Sequence, residues 1–242
     1  RFDALLEKFG ILRPQGMGVM TLEEAIIARH SVRKYLNRKI EKDIADELQK
    51  TIDECNAVSG LNIQLQLDEP EAFGSGMAKY GKFEGCSNYI VIAGSKDDEE
   101  KCGYFGEKIV LRAQQLGLNT CWVALTVNKS KVVHNLRSGE KMLIVIALGY
   151  GQTQGHERPT KSMESLCKVK NGEMPEWFRS AMSAVMLAPT AVNQQKFHFT
   201  LDGNKVIAKT LLGFYAKIDL GIAKCHFEIG AEDAEYVWAV ED

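Results

Sequence analysis

Four short segments carry residue types that could do chemistry. Arg29-His-Ser-Val-Arg33 offers two guanidinium groups and a hydroxyl within five residues, next to a helix end. An arginine fork donates two parallel hydrogen bonds and suits a phosphate. With Lys34 and Arg38 beside it, the same cluster also reads as a solvated basic patch. Ala188-Pro-Thr-Ala-Val-Asn-Gln-Gln-Lys-Phe-His-Phe199 stops a helix at a proline, presents Thr190 and Asn193 on a polar turn, and leaves as a strand. Its side chain and backbone amides can hydrogen-bond the edge of a heterocycle; a helix stop followed by a side-chain-bonded turn is the plain alternative. Gly117-Leu-Asn-Thr-Cys-Trp-Val-Ala124 brings a helix end and a strand start to an aromatic residue, whose default reading is a capped helix feeding a core strand. His156-Glu-Arg-Pro-Thr-Lys161 adds two cations that could reach a phosphate or simply lie on a wet loop.

The elements that must position these segments follow from periodicity. Residues 21–29 read as a short amphipathic helix, with Thr21 as N-cap and Glu24 as its capping-box partner. Ile44, Leu48 and Ile52 recur at spacings of four and predict a helix over 40–57. Ile63, Leu65 and Leu67 alternate with glutamines, which predicts a half-buried strand. Residues 70–87 are turn-rich and read as a surface loop. Tyr89–Ala93, Cys121–Leu125 and Met142–Leu148 read as strands, and Glu99–Leu116 as a long helix ended by Gly117. The Gly-, Pro- and charge-bearing connection from Gly149 to Lys161 is the natural internal boundary. Beyond it come a helix over 175–187 with Pro175 in its first turn, strands at 197–201 and 206–208, a helix over 215–229, and a strand at 236–240.

Helix, strand, strand, helix, strand thus occurs twice. Laying Phe197-His-Phe-Thr-Leu201 on Ile63-Gln-Leu-Gln-Leu67 brings the preceding helices into register and sets Asn193 opposite Ser59, while Lys217-Ile218 falls loosely on Lys108-Ile109. The expectation is an α+β fold, with helices packed on a mostly antiparallel sheet in two pseudo-symmetric halves. The halves span 20–155 and 156–242. Residues 1–19 read as a leader or a helical extension, since Met20 resembles a natural start.

Totals exclude several classes. The chain has 242 residues, is 45% hydrophobic and 26% charged, and carries a net charge of −2, which does not suggest a nucleic-acid or membrane-surface binder. Six scattered cysteines form no CxxC pair and no metal-ligand spacing with a histidine, so free thiols in a reducing cytoplasm are expected. Gly74-Ser-Gly76 lacks the third glycine of a dinucleotide fingerprint, Lys79 standing in its place. A hydrolase would need a Gly-x-Ser-x-Gly elbow, which is missing, and zinc catalysis would need clustered histidines. His226 reads as a satisfied packing or surface residue.

Taken together, the four segments resemble the nitroreductase family of FMN flavoproteins. Arg29, Ser31, Arg33 and Tyr35 match its Arg-x-Ser-x-Arg-x-aromatic motif. Ala188, Pro189, Asn193, Gln195 and Phe199 match its Ala-Pro-Ser-x-x-Asn-x-Gln-Pro-Trp-x-Phe turn. Gly117-Leu-Asn-Thr-Cys-Trp122 is similar to its Gly-Leu-Gly-x-Cys-Trp segment, and Leu148-Gly149-Tyr150 with Arg158 and Lys161 to its Leu-Gly-Tyr strand end and following cations. The resemblance spans about residues 20–242. Motif order is unusual. Residues 54–59 stand where the Pro-x-x-x-Asn turn lies in most of the family and lack the proline, and the intact turn comes about 134 positions later. No Arg-x-Ser-x-Arg copy appears around Met163–Val169. This is similar to an internally duplicated branch in which one chain imitates the usual homodimer.

What the resemblance implies is one FMN per chain, held by a monomer acting as a pseudo-dimer. Arg29, Arg33, Lys161 and Arg158 would hold the phosphate, and His30 and Ser31 would contact phosphate or ribityl hydroxyls. Pro189, Thr190, Ala191 and Asn193 would line the flavin from the other half, with Trp122, Val123, Ala124 and Leu125 near its reactive edge. NADH or NADPH would reduce it, and a nitroarene, quinone or flavin would accept hydride. No side chain need act as nucleophile, so no catalytic residue is implied. Lys196-Phe197 in place of Pro-Trp, Thr190-Ala191 in place of a hydroxyl pair, and Ala124-Leu125 in place of glycines depart from the family pattern. The alternative is a non-catalytic flavin- or ligand-binding protein with the same shell.

Overall fold

A computed structural model describes residues 20–240 apart from residue 75. The expected leader at 1–19 lies outside the described residues, and Gly74-Ser-Gly76 is described only in part. Helix α1 (Leu22–Ala28) starts where its cap predicts: Thr21 accepts from the Glu24 amide at 3.1 Å, and the Glu24 carboxylate accepts from the Thr21 amide at 2.8 Å. Helix α2 (Lys42–Ser59) buries Ala45, Leu48, Ile52 and Cys55 along one face and stops at Gly60, whose φ of +73° is a left-handed cap. Strand β1 (Asn62–Gln66) follows. The stretch expected as a loop at 70–87 contains a 3₁₀ turn at Pro70–Ala72 and the short helix α3 (Met77–Tyr80). Phe73 and Phe83 pack there against Tyr89, so a local apolar cluster overrides the turn-rich composition.

Strand β2 (Asn88–Gly94) is buried throughout. Helix α4 (Glu99–Gln115), strand β3 (Asn119–Val123) and strand β4 (Lys141–Gly149) complete a first sheet. Its order is β1-β2-β4-β3, and every pairing is antiparallel. Residues beyond the boundary begin with helix α5 (Met163–Leu166) and strand β5 (Cys167–Val169), neither of which the periodicity signals. Helix α6 (Glu176–Val185) has Pro175 as its N-cap residue, one place earlier than expected, and buries Phe178, Met182 and Val185.

A second sheet joins β5, β6 (Phe197–Asp202), β7 (Lys205–Thr210) and β8 (Val237–Ala239) in that order. The β6–β7 hairpin is antiparallel, but β5 and β8 add to it in parallel. The expectation of a mostly antiparallel sheet therefore holds for the first sheet and needs correcting for the second, which is mixed. The reason is the connections. β8 returns to β7 after a long helix rather than through a tight turn, and such crossovers permit parallel pairing.

Helix α7 (Ala216–Ala231) packs against α4 and α6 between the sheets. One apolar core runs from Leu48 and Ile90 on one side to Phe178, Phe197, Phe199 and Phe227 on the other. Phe199 and Phe227 stack at 5.3 Å. The six cysteines are free and buried. Among the described residues no helix is long and apolar enough to cross a membrane.

Candidate functional site

The segment after α1 runs extended along the edge of the first sheet. Ser31 bridges Thr120 in parallel, and the Val32 amide donates to the Thr120 carbonyl at 3.0 Å. Tyr35 anchors the segment from below, its hydroxyl donating to the Val32 carbonyl at 2.7 Å. This edge pairing places Ser31 and Arg33 beside Trp122 at the end of β3.

Across from them, the chain leaving α6 turns through Pro189, Thr190 and Ala191. Val192, Asn193 and Gln195 adopt left-handed backbone angles with φ of +45°, +56° and +47°. For the β-branched Val192 that conformation is strained, and it persists because its neighbours are tied. Thr190 Oγ1 accepts from the Gln195 amide at 3.1 Å, and the Asn193 amide group donates to the Pro159 carbonyl at 2.8 Å. The Ala191 amide donates to Asp219 Oδ1 at 3.0 Å, and Gln194 Nε2 donates to Asp219 Oδ2 at 2.8 Å.

Ser31, Arg33, Trp122, Ala124, Pro189, Thr190 and Ala191 line one cavity between the sheets. Residues from α7 close it, with Ile218 and Ile222 apolar and Asp219 acidic. Burial pushes the Asp219 carboxyl up to about 6, against the lowering effect of the Gln194 and Ala191 hydrogen bonds and of Arg158. Sequence reading missed this residue. The available signal was a lone acid in the otherwise apolar run Ile218-Asp-Leu-Gly-Ile-Ala223.

The remaining expected residues fall elsewhere. Arg29, His30 and Arg158 line an adjoining cavity walled by Ile26, Ile27 and Met186. Arg158 donates to Asn193 Oδ1 and to the Ala188 and Met186 carbonyls, capping the end of α6, and burial next to Arg29 lowers its pKa to about 10. Lys161 donates through Nζ to the Gln195 carbonyl at 3.1 Å. Val123 is buried with Val145 in the core of the first sheet, facing away from Trp122 as strand alternation requires. Leu125 lies beyond the strand end and is exposed.

Behind Trp122 sits a buried polar cluster. Glu107 and His226 are completely buried, and Glu107 accepts from Trp122 Nε1 at 2.9 Å and pairs with His226 Nε2 at 2.8 Å. Arg29 Nε lies 3.8 Å from the same carboxylate and makes no hydrogen bond. His226 Nδ1 meets the Ala184 carbonyl at 2.9 Å, so this histidine is a satisfied packing residue, as expected. Desolvation lowers the Arg29 pKa, with Glu107 opposing the effect. The cluster fixes the Trp122 indole at the cavity wall.

Comparison with known proteins bears on this arrangement. A family model described as "Putative TM nitroreductase" matches residues 21–231. The "putative nitroreductase" of Thermotoga maritima MSB8 is 23% identical, covers 90% of this chain and 87% of its own, and superposes with a TM-score of 0.64, a likeness of fold. An "FMN-dependent Nitroreductase" of Clostridium difficile R20291 is 19% identical over 57% of this chain and 90% of its own, with a TM-score of 0.41. A "Putative NADH dehydrogenase/NAD(P)H nitroreductase" of Bacteroides thetaiotaomicron VPI-5482 is 22% identical over 60% of this chain and 95% of its own, with a TM-score of 0.48. No curated protein matches. Since the family model takes in α1 through α7 and every segment that lines the cavity, the chain belongs to the nitroreductase family.

Proposed function

We propose that the chain binds one FMN in the cavity between its sheets and works as an oxidoreductase, taking electrons from NADH or NADPH and delivering them to a small electron-poor acceptor. The acceptor is a nitroarene, a quinone or a free flavin. One observation carries this reading: three segments far apart in sequence, at 31–33, 122–124 and 189–191, line a single cavity.

The donor set suits the cofactor. Arg33 is exposed and has no carboxylate partner among the described residues, so its fork is available to a phosphate beside the Ser31 hydroxyl. Trp122, Ile144, Ile218 and Ile222 offer apolar faces to a flat ring. Arg29 and Arg158, in the adjoining cavity, extend the positive field; burial and Arg29 lower the His30 pKa, so His30 would serve there as a neutral hydrogen-bonding group. Lys161, Asn193, Val123 and Leu125 would act through the backbone or through the loops they tie. When bound, FMN supplies the hydride exchange; the protein supplies orientation, charge and exclusion of water.

The same reading includes two pseudo-symmetric halves, 20–155 and 156–242, in a monomer of a reducing, cytoplasmic setting. A reciprocal contact supports the symmetry. A Cβ on Gly103 would lie 2.0 Å from the Ile218 carbonyl, and one on Gly221 would lie 2.0 Å from the Glu100 carbonyl. This pairs Gly103 with Gly221, a different register from the match of Lys217-Ile218 on Lys108-Ile109.

The test is direct. Purified protein should be yellow or take up added FMN, and NADH or NADPH should bleach it under anaerobic conditions. Arg33→Ala should weaken FMN binding about 10-fold or more, the scale of one charged hydrogen bond. Colourless protein that refuses FMN sinks the proposal; a flavin that no nicotinamide donor bleaches leaves a non-catalytic binder.

A further inference from the structure

We propose that Asp219 is the general acid of the site, giving a proton to the oxygen of a quinone-type carbonyl acceptor as that acceptor takes up hydride. This deepens the function proposed above and rests on it. Reducing a quinone to its hydroquinone by two electrons takes one hydride, delivered to one carbonyl oxygen, and one proton, taken up by the other. Reduced FMN is the hydride source in that reading. Asp219 breaks its own carboxyl O–H bond, the second carbonyl oxygen gains the proton, and the resulting carboxylate is reprotonated from solvent.

Three features point to this residue. It is 3% exposed, yet its side chain lines the cavity together with Trp122, Arg33 and the 189–191 turn. Its two oxygens are held at 3.0 Å and 2.8 Å by Ala191 N–H and the Gln194 amide, so it is positioned rather than free to swing. Each oxygen accepts one hydrogen bond and keeps a further lone pair for a proton. Asp219 is also the cavity's only carboxyl group among the described lining residues. Its upward shift brings it to a range where a general acid works near neutral pH.

The groups that face Asp219 are few. Arg158 acts on it from the connection after β4 and lowers its pKa. Arg33 stands across the cavity from the sheet edge, and Tyr215 lies one turn earlier on the same helix side. Trp122 and Ile144, from β3 and β4, carry no ionising group.

The experiment follows reoxidation of the NADPH-reduced, FMN-loaded protein by 1,4-benzoquinone and by ferricyanide, from pH 5 to 9, in wild type and Asp219→Asn. Ferricyanide takes electrons one at a time and needs no proton on its own atoms, so it reports structural damage alone. The expected result is a quinone rate that falls as pH rises through about 6 in wild type. In Asp219→Asn the quinone rate relative to the ferricyanide rate should be lower by about 10- to 100-fold, the usual range for loss of an acid, and flat with pH. A carboxyl infrared band present in wild type and absent from Asp219→Asn should titrate over the same range without any acceptor. Equal slowing of both acceptors, a flat wild-type profile, or no such band overturns the acid role. A wild-type protein that takes up no flavin overturns the proposed function itself, and the acid role with it, a result distinct from any of these.

Discussion

At the scale of single residues, the site is built by pairing rather than by exposure. Arg158 and Lys161, which the family resemblance implies as phosphate ligands, also donate to carbonyls, and Arg158 to Asn193. Asp219 shows the opposite case, a carboxyl buried away from water and held by a backbone amide and a glutamine. Its burial has a consequence for stability. With a folded value of about 6 against 3.8 for the free group, the folded state holds a proton that the unfolded chain has lost between those pH values. Stability contributed by this group therefore falls as pH rises from about 4 to 6. The full difference is about 3 kcal/mol. Urea unfolding of wild type and Asp219→Asn at pH 4, 5, 6 and 7 isolates it: the wild type should lose ground relative to the variant across the series. Parallel curves would contradict the assignment.

At the scale of elements, the packing of α4 on α7 is the contact that brings the two sheets together. It depends on Gly103 and Gly221, because each lets the other helix's backbone come within van der Waals range. In an exposed helix, replacing glycine by alanine stabilises by roughly 0.5–1 kcal/mol. Here the added methyl meets backbone carbonyls, which cannot move aside as a side chain tip can. Gly103→Ala and Gly221→Ala are each expected to destabilise by about 1–3 kcal/mol, the range for an overpacked core. The urea midpoint should drop while the m-value stays the same. A rise in midpoint for either variant would show that the helices have room. The cavity is lined partly by α7, so these substitutions should also weaken FMN binding.

At the scale of the whole molecule, the cavity draws its walls from both sides of the Gly149–Lys161 connection. A single chain is therefore expected to bind one FMN and to sediment as a 27.0 kDa particle. Flavin titration with analytical ultracentrifugation checks this, and an obligate dimer with two equivalent flavins would falsify the pseudo-dimer reading. Much of the fold and of the cavity lining was legible in sequence, where chemistry is local. Thr21 and Glu24 make their capping box within four residues, α2 and α6 show their apolar faces by spacing, and the Ser31, Arg33, Trp122 and Pro189–Ala191 segments carry their own turn and pairing signals. Less was legible where partners are distant. Glu107, His226 and Asp219 look like ordinary helix residues until α4, α7 and the 189–195 turn are brought together, because their hydrogen-bond partners lie 15 to 119 positions away. The same holds for the parallel pairing of β5 and β8, which depends on how long connections return to a sheet edge. Periodicity and caps, which act over a few residues, were set by the sequence itself. Which charges are paired, which are shielded from water and which face the cavity was decided only by the tertiary structure, since electrostatic and packing energies depend on neighbours in space.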